Sequence, residues 1–511
     1  MTDEEPAEQE ENKPAGEVEE SYEVEADGVP ARVQIVDTEN EYVLNYNVER
    51  PEIHTATEAV LKELKEKVVR EVNVSTEEFV DAKSLDNVKQ KFRDEASEML
   101  EEELPETNEQ TKEILIGNLL HEMLGLGDLE ILLNDHHLEE IVVNGSEEPA
   151  WVYHKELGWL KSDIDFRDED QIYNYASEIA RRVGKNISSL HPLLDAHLPS
   201  GDRTNATLYP ISTQGNTITI RKFARDPWTI VDFIENGTLN VEVAAFLWLC
   251  IQYELNVLVS GGTGAGKTSL LNVLTPFIPP NQRVLSIEDT REVSLPEFLH
   301  WVPLTTREEN PEGKGEVSML DLLVNALRMR PDRILVGEIR RKRQAEVLFE
   351  AMHTGHSVYS TLHADTAEQT VRRLVNPPID VPETMVDAVD VNVVMFRDRR
   401  RNFRRVMEVA EVTEREDEVV ADVIYEWHSR DDEIQKQKES NAIMDTLQLH
   451  TGMSREEIWD NIEEKKDILR WMIDNDVEGV DNVGKIVAEY YSNPDEVNTV
   501  VEENSEPEEL L

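Results

Sequence analysis

The chain has 511 residues, of which 107 are Asp or Glu and 51 Lys or Arg, for a formal charge of −56. That length suggests roughly two to four domains with a sizeable core, while 39% hydrophobic residues leaves room for polar and unstructured stretches. The charge argues against bulk nucleic-acid binding, because the phosphate backbone rewards a positive surface, and a single cysteine, Cys250, excludes a disulfide framework or a multi-cysteine zinc site.

Residues 3–27 are mostly acidic and small, with Lys13 the single cation, and read as a self-repelling disordered tail over 1–30. The opening MTDEEPAEQEEN has neither a basic region nor an apolar core, so no signal peptide is expected. The most apolar stretch, 241–251, is too short to span a bilayer, and a cytoplasmic protein is expected. Acids recur at 93–109, 163–170, 308–316, 411–421 and 495–509. A surplus in every segment reads as a halophilic surface, where salt screens the self-repulsion.

Val33 to Tyr46 carries short apolar runs of strand character. Two helical stretches follow, 56–69, with Val60, Leu61, Leu64 and Val68 on one stripe, and 76–100. Pro105 closes this mostly helical region, 31–105. A helix over 111–124 ends at Gly125-Leu126-Gly127. EEIVVNG (139–145), AWVYHKELGWL (150–160) and TITIRKF (217–223) then read as strands, with a helix at 168–183 among them. Together they make a small α/β domain, 106–226.

Ala224 to Pro227 breaks that pattern, and a linker, 227–235, helical from Ile230, leads to an apolar helix at 241–253. From Asn256 strands and helices alternate, with NVLVS, RVLSIE, RILVGE and SVYSTLH as short apolar strands. Alternation of this kind implies a mostly parallel sheet with helices on both faces. NVVMF and RRVMEVAEV flank an arginine-rich turn and read as an antiparallel hairpin. The domain so defined spans 236–430, and the remainder, 431–511, reads as helical with an acidic tail. There Ser454 to Glu457 forms a capping box.

Gly261-Gly262-Thr263-Gly264-Ala265-Gly266-Lys267-Thr268 fits G-x-x-x-x-G-K-[ST], between a strand and a helix. Glycines let the backbone turn tightly enough to aim its N–H groups at phosphate, and the helix N-terminus adds partial positive charge. Lys267 would reach the β- and γ-phosphates of ATP and the Thr268 hydroxyl would ligate Mg²⁺. Ser269 follows in the same turn and is counted with the binding residues.

RPDRILVGEIR (330–340) reads as an apolar strand ending in Glu338, and RVLSIEDTREV (283–293) as one ending in Glu288-Asp289, with Glu292 one turn beyond. Tips of parallel strands face the ligand crevice, so these acids are expected to converge on the phosphates. Asp289 and Glu292 join Thr268 as candidate Mg²⁺ ligands. HTGHSVYSTLHADT (353–366) adds His356 and His363 around a third strand. A neutral imidazole can donate a hydrogen bond to phosphate or to attacking water, and His363, at the strand end, is the stronger candidate.

These elements, in this order, resemble the secretion ATPases of type II and type IV secretion, type IV pilus and archaellum systems. IEDTRE (287–292) resembles the family's aspartate box, ILVGEIR (334–340) its Walker B strand and TGHSVYSTLHADT (354–366) its histidine box. Upstream, EEIVVNG, PSGDRTNATLYP (199–210) and TITIRKF resemble the smaller N-terminal domain of the archaeal branch, and the acidic surface points to its haloarchaeal members. The resemblance implies a RecA-like P-loop core, a smaller α/β N-terminal domain, helical flanking segments and a homo-hexameric ring. It also implies that Arg203 and Arg221, from the smaller domain, reach the γ-phosphate. Two departures stand out: the four-cysteine zinc insertion of many bacterial members is missing, and Arg341 replaces the acid that usually follows GEIR.

The resemblance further implies ATP hydrolysis driving pilin-like filament assembly or protein export through a multispanning membrane platform protein, with no nucleic acid bound. A nucleotide-regulated scaffold with little turnover and a RecA-like nucleic-acid-translocating ATPase stay open as other classes. Arg397, Arg399, Arg400, Arg401, Arg404 and Arg405 form the strongest basic spot. It would dock an acidic loop of a membrane partner or an anionic lipid surface, or pair with acids of a neighbouring subunit.

Overall fold

The computed structural model describes residues 16–38, 41–51, 53–72, 82–198, 201–223, 227–309, 313–415 and 418–511. The first half of the expected tail, the helix start at 76–81 and the break at 224–226 lie outside these residues. The chain divides into two compact units, 1–225 and 226–511.

In the first unit the strands and helices run β1 (Glu17–Ala26), β2 (Val29–Asp37), β3 (Asn45–Glu49), α1 (Thr55–Glu71), α2 (Ala82–Glu103), α3 (Glu109–Met123) and α4 (Leu129–Asn134). Then come β4 (Leu138–Val143), β5 (Trp151–His154), β6 (Gly158–Ser162), α5 (Glu169–Arg182), β7 (Leu193–His197), β8 (Arg203–Thr207) and β9 (Thr217–Arg221). All nine strands form one sheet, ordered β1-β2-β3-β6-β5-β4-β9-β8-β7.

This corrects three expectations. Residues 17–26 are not tail but an edge strand, because their acids alternate with Tyr22, Val24 and Ala26, whose side chains turn inward. Repulsion among the glutamates therefore falls on the solvent face. Nor are 31–105 and 106–226 separate bodies: β3 pairs in parallel with β6 and joins their strands. Asp135, fully buried after α4, fastens the junction by accepting the Tyr22 hydroxyl at 2.8 Å and the Tyr46 hydroxyl at 2.5 Å. The 150–160 run is likewise two strands, turning where Gly158 has φ 79°.

The second unit opens with α6 (Ile230–Glu235) and α7 (Val241–Gln252), then β10 (Val257–Gly261), α8 (Lys267–Leu274), β11 (Arg283–Glu288), β12 (His300–Thr305) and α9 (Met319–Ala326). It continues through β13 (Arg333–Val336), α10 (Lys342–His353), β14 (Ser357–Leu362), α11 (Ala367–Val375), α12 (Glu383–Val386), β15 (Val391–Asp398) and β16 (Phe403–Arg415). It closes with β17 (Glu418–His428), β18 (Glu433–Lys436), α13 (Ala442–Thr451), α14 (Arg455–Asp474), α15 (Val480–Ser492) and α16 (Pro494–Glu503).

Its sheet is ordered β12-β11-β13-β14-β10-β15-β16-β17-β18. Pairing is parallel from β12 to β15 and antiparallel beyond. Every residue of β10, β13 and β14 is buried, as strands covered on both faces require. The expected linker is the capped helix α6, because Ile230, Val231 and Phe233 bury into this unit's core. The sheet also runs past 430, to β18, since β17 and β18 extend the expected hairpin into a four-stranded meander. Ser454 and Glu457 form the expected capping box on α14. Among the described residues no helix is long and apolar enough to cross a membrane.

Lys465 on α14 is buried, with Nζ donating to Asn461 Oδ1 at 2.6 Å beside the Trp248 and Tyr490 rings. Burial pushes its ammonium down to about 7, with Glu464 pulling weakly the other way. A cation depressed in the folded state contributes stability above the ordinary value of 10.5, and that contribution is lost as pH falls through 7. Lys465→Met is therefore expected to be more stable than wild type at pH 7, by on the order of 3–5 kcal/mol. The gap should narrow steadily towards pH 10 in thermal melts; a gap independent of pH would sink this account.

Candidate nucleotide site

The fold brings the loop after β10 and the tips of β11, β13 and β14 to one end of the sheet. β14 lies between β10 and β13, so the acid at the β13 tip faces the loop across one intervening strand. In the loop Gly261, Gly264 and Gly266 have φ of 151°, 71° and 88°. At Gly261 a Cβ would stand 2.6 Å from the Met395 carbonyl, so only glycine fits. Thr263 and Gly264 are exposed at the crown, while Ala265 is buried beneath it. Gly266 caps α8, which begins at Lys267 and carries Thr268 and Ser269 in its first turn. The Lys267 ammonium donates to the carbonyls of Gly261 and Gly262 at 3.1 and 3.0 Å.

Glu338 stands two residues past β13, not within it as expected. The ladder nevertheless continues to it, through Gly337 N–H to Ile287 O at 2.9 Å and Ile339 N–H to Thr361 O at 3.0 Å. Its Oε1 lies 3.2 Å from His363 Nε2. Its Oε2 accepts from Arg340 Nε at 2.9 Å, and Arg340 Nη1 donates to Asp289 Oδ2 at 2.9 Å. One guanidinium thus bridges the carboxylates of two strand tips, in the fork geometry that suits arginine. Partial burial holds the His363 imidazole below its ordinary value; the Lys267 charge reinforces this and the Glu338 carboxylate opposes it. With its proton on Nε2 the ring donates to the Glu338 carboxylate.

Glu288 behaves differently from its neighbours. Its side chain is buried, at 2% exposure for the residue, and Oε1 accepts the backbone N–H groups of Glu292 and Val293, each at 2.9 Å. Burial pushes the carboxyl up to about 7 against those two hydrogen bonds. Glu288 therefore shapes the segment that carries Asp289 and Glu292. Asp289 also accepts from the Thr306 hydroxyl at 3.3 Å, and the Glu292 carbonyl accepts from Asn272 on α8 at 2.9 Å. His356 lies at the opposite end of β14 from His363 and binds the Ala351 carbonyl through Nδ1 at 3.2 Å, a structural contact.

Arg203 and Arg221 belong to the first unit. Eighteen positions apart in sequence, they are direct cross-strand partners on β8 and β9, and both are exposed. Arg203 grips Asp195 with Nε at 3.2 Å and Nη2 at 2.8 Å.

Three arginines beyond the expected residues, Arg340, Arg397 and Arg404, stand beside these elements. Arg340 precedes the unusual Arg341, and no local spacing signals that it bridges two strand tips. Arg397 and Arg404 were read as part of a basic hairpin tip. Equal distances from the turn place Arg397 and Arg404 opposite each other, Arg397 on β15 beside β10 and Arg404 on β16.

Candidate Mg²⁺ ligands are tested by their donor chemistry. Thr268, Asp289 and Glu292 offer hard oxygen donors, the type Mg²⁺ takes alongside water and phosphate oxygens. Among the described residues no three His, Cys, Asp or Glu side chains form a cage for a metal by themselves. The residues fit an ion that arrives with a nucleotide.

A strand, glycine loop and helix flanked by carboxylates at neighbouring strand tips define a RecA-like P-loop core. The chain belongs to the Type II/IV secretion system protein family, which it matches over residues 122–395. Two uncharacterized proteins of Methanocaldococcus jannaschii are similar to it. One is 39% identical across 60% of this chain and 56% of its own length; the other is 46% identical across 45% and 32%. The chain thus spans about half the length of the first and about a third of the second. The type IV secretion system protein PtlH of Bordetella pertussis is 31% identical across 53% of this chain and 89% of its own.

Proposed function

We propose that the protein is a motor ATPase that hydrolyses ATP to drive type IV pilus-like filament assembly or type II-like export through a multispanning membrane platform protein. The observation that carries this reading is the Glu338–His363 pair beside the glycine loop. Backbone N–H groups of 262–267 and the Lys267 ammonium bind the polyphosphate. Glu338 takes the proton of the attacking water as its oxygen bonds to the γ-phosphorus. The bond from that phosphorus to the bridging oxygen breaks, and ADP leaves with the electron pair. His363, donating to Glu338, fixes the carboxylate's direction, while Arg340 holds its other oxygen. Glu288 acts through the segment holding Asp289 and Glu292. Thr268, with those two acids, would hold Mg²⁺, which supplies charge neutralisation on the β- and γ-oxygens.

Arg203 and Arg221 complete the site in a homo-hexamer by stabilising charge on the transferring phosphoryl group. Arg203 must then exchange Asp195 for phosphate. Arg203→Ala and Arg221→Ala are each expected to lower kcat by about 10²-fold, with ATP affinity within a few-fold of wild type. Steady-state assays on the assembled ring check this, and a loss confined to affinity would count against a finger role.

The work is coupled to a membrane system, and the ring is assembled in high salt on the acidic surface already described. Affinity capture of the full chain from membranes of the source cells should recover a multispanning protein together with it. Recovery of soluble partners alone would exclude the platform reading.

A further inference from the structure

The glycine loop has two flanks, because β10 lies between β14 and β15. On the β14 side stand Glu338, His363 and Asp365, the last with Oδ1 3.3 Å from where a Cβ on Gly262 would be. On the other side β10 pairs with β15, which sets Met395 opposite Gly261. Two residues on, and so on the same face of the strand, Arg397 places Nη1 2.6 Å from a Cβ position on Gly264. Its direct cross-strand partner is Arg404. That side chain donates from Nε to the Gly264 carbonyl at 3.3 Å and lays its Cδ 3.2 Å from a Cβ position on Gly266.

The other hairpin arginines point elsewhere. Arg399, Arg400 and Arg401 are exposed at the turn, and Arg405 grips Asp432 with two contacts of 2.8 Å. The charge cluster seen in sequence is therefore two structures: an exposed tip, and a pair held against the phosphate loop. Like charges placed directly across two strands are unfavourable, and an anion shared between two guanidinium groups reverses that sign.

We infer that Arg397 and Arg404 bind the α-phosphate end of the nucleotide. This rests on the reading that the loop binds a nucleoside triphosphate. With the γ-phosphate towards Glu338 and Lys267, the polyphosphate runs across the loop and its α-phosphate emerges on the hairpin side. Contacts at that end are common to ADP and ATP, so they set affinity for both by the same factor.

Isothermal titration with ADP and with a slowly hydrolysed ATP analogue, each with Mg²⁺, tests this on the full chain. Arg397→Gln and Arg404→Gln are each expected to weaken both ligands about tenfold or more, equally. Arg400→Ser, at the exposed turn, should leave both affinities at the wild-type value. Melts without nucleotide establish folding. If a Gln variant is unfolded, Arg397→Lys and Arg404→Lys replace it, keeping the charge but not the fork, with an expected equal loss of several-fold. Wild-type affinity in the folded variants overturns the inference, as does a loss for the ATP analogue alone, which would move the arginines to the γ end. A wild-type protein that binds neither ligand overturns the nucleotide reading itself, a result distinct from either of those.

Discussion

Glu338→Gln is expected to lower ATP turnover by about 10³-fold while ATP still binds with near wild-type affinity. Glutamine matches glutamate in shape, and its Oε1 can still accept from His363 Nε2, now 3.2 Å from Glu338. Arg340 keeps its contact to Asp289, so the strand tips should stay in register. What is lost is a carboxylate able to receive the proton of attacking water. Single-turnover phosphate release separates this from binding, because it starts from enzyme already loaded with nucleotide. Turnover within tenfold of wild type would remove Glu338 from the role of base and leave the carboxylates of the β11 tip to be examined.

Glu411→Ala is expected to cost about 3–5 kcal/mol of stability. Glu411 lies on β16, buried at 2% exposure. Its Oε2 accepts the Ser440 hydroxyl at 2.6 Å and the backbone N–H groups of Asn441, Ala442 and Ile443 at 3.1, 3.0 and 3.4 Å. Three of these donors open α13, where no local side chain caps the helix, and the negative charge complements the helix dipole. Alanine leaves all four donors without this partner, and the Ser440 hydroxyl and the Ile443 N–H lie in buried residues. Glu411→Gln should lose roughly half as much, since it keeps an acceptor but not the charge. Urea unfolding followed by tryptophan fluorescence measures both; an alanine cost below about 1 kcal/mol would show that water replaces the carboxylate.

Glu411 also shows why some of the fold was legible in the sequence and some was not. Ser454 and Glu457 cap α14 from within four residues, and a local pattern of that kind can be read directly. The cap of α13 comes from a strand about 30 residues away, and no spacing rule reaches it. The glycine loop was readable for the same local reason: strand, turn and helix are contiguous, and the chemistry needs those residues in that order. Acids at the tips of β11 and β13 were readable as a set, but not their separate roles. Glu288 and Asp289 are adjacent, so in an extended chain their side chains point to opposite faces, and only tertiary packing decides which one is buried.

The N-terminal strand was misread because composition outweighed pattern. Glutamates dominate 17–25, yet Tyr22, Val24 and Ala26 repeat with the period of a strand, and Tyr22 reaches the buried Asp135. For the basic hairpin the sequence carries the cluster but not its division. Clustering suggested one surface, whereas the turn divides it into exposed residues and a pair beside the glycine loop.

The central claim is that this chain turns over ATP and does not merely hold it. Phosphate release by the purified full chain, with ATP and Mg²⁺ across a range of salt concentrations, tests that most directly when set beside Lys267→Ala. The account predicts steady Mg²⁺-dependent release by the wild type, strongest at high salt, and none above background from a folded Lys267→Ala protein that no longer binds ATP. Wild-type protein that binds ATP stoichiometrically yet releases no phosphate at any salt concentration would contradict it and point to a nucleotide-regulated scaffold.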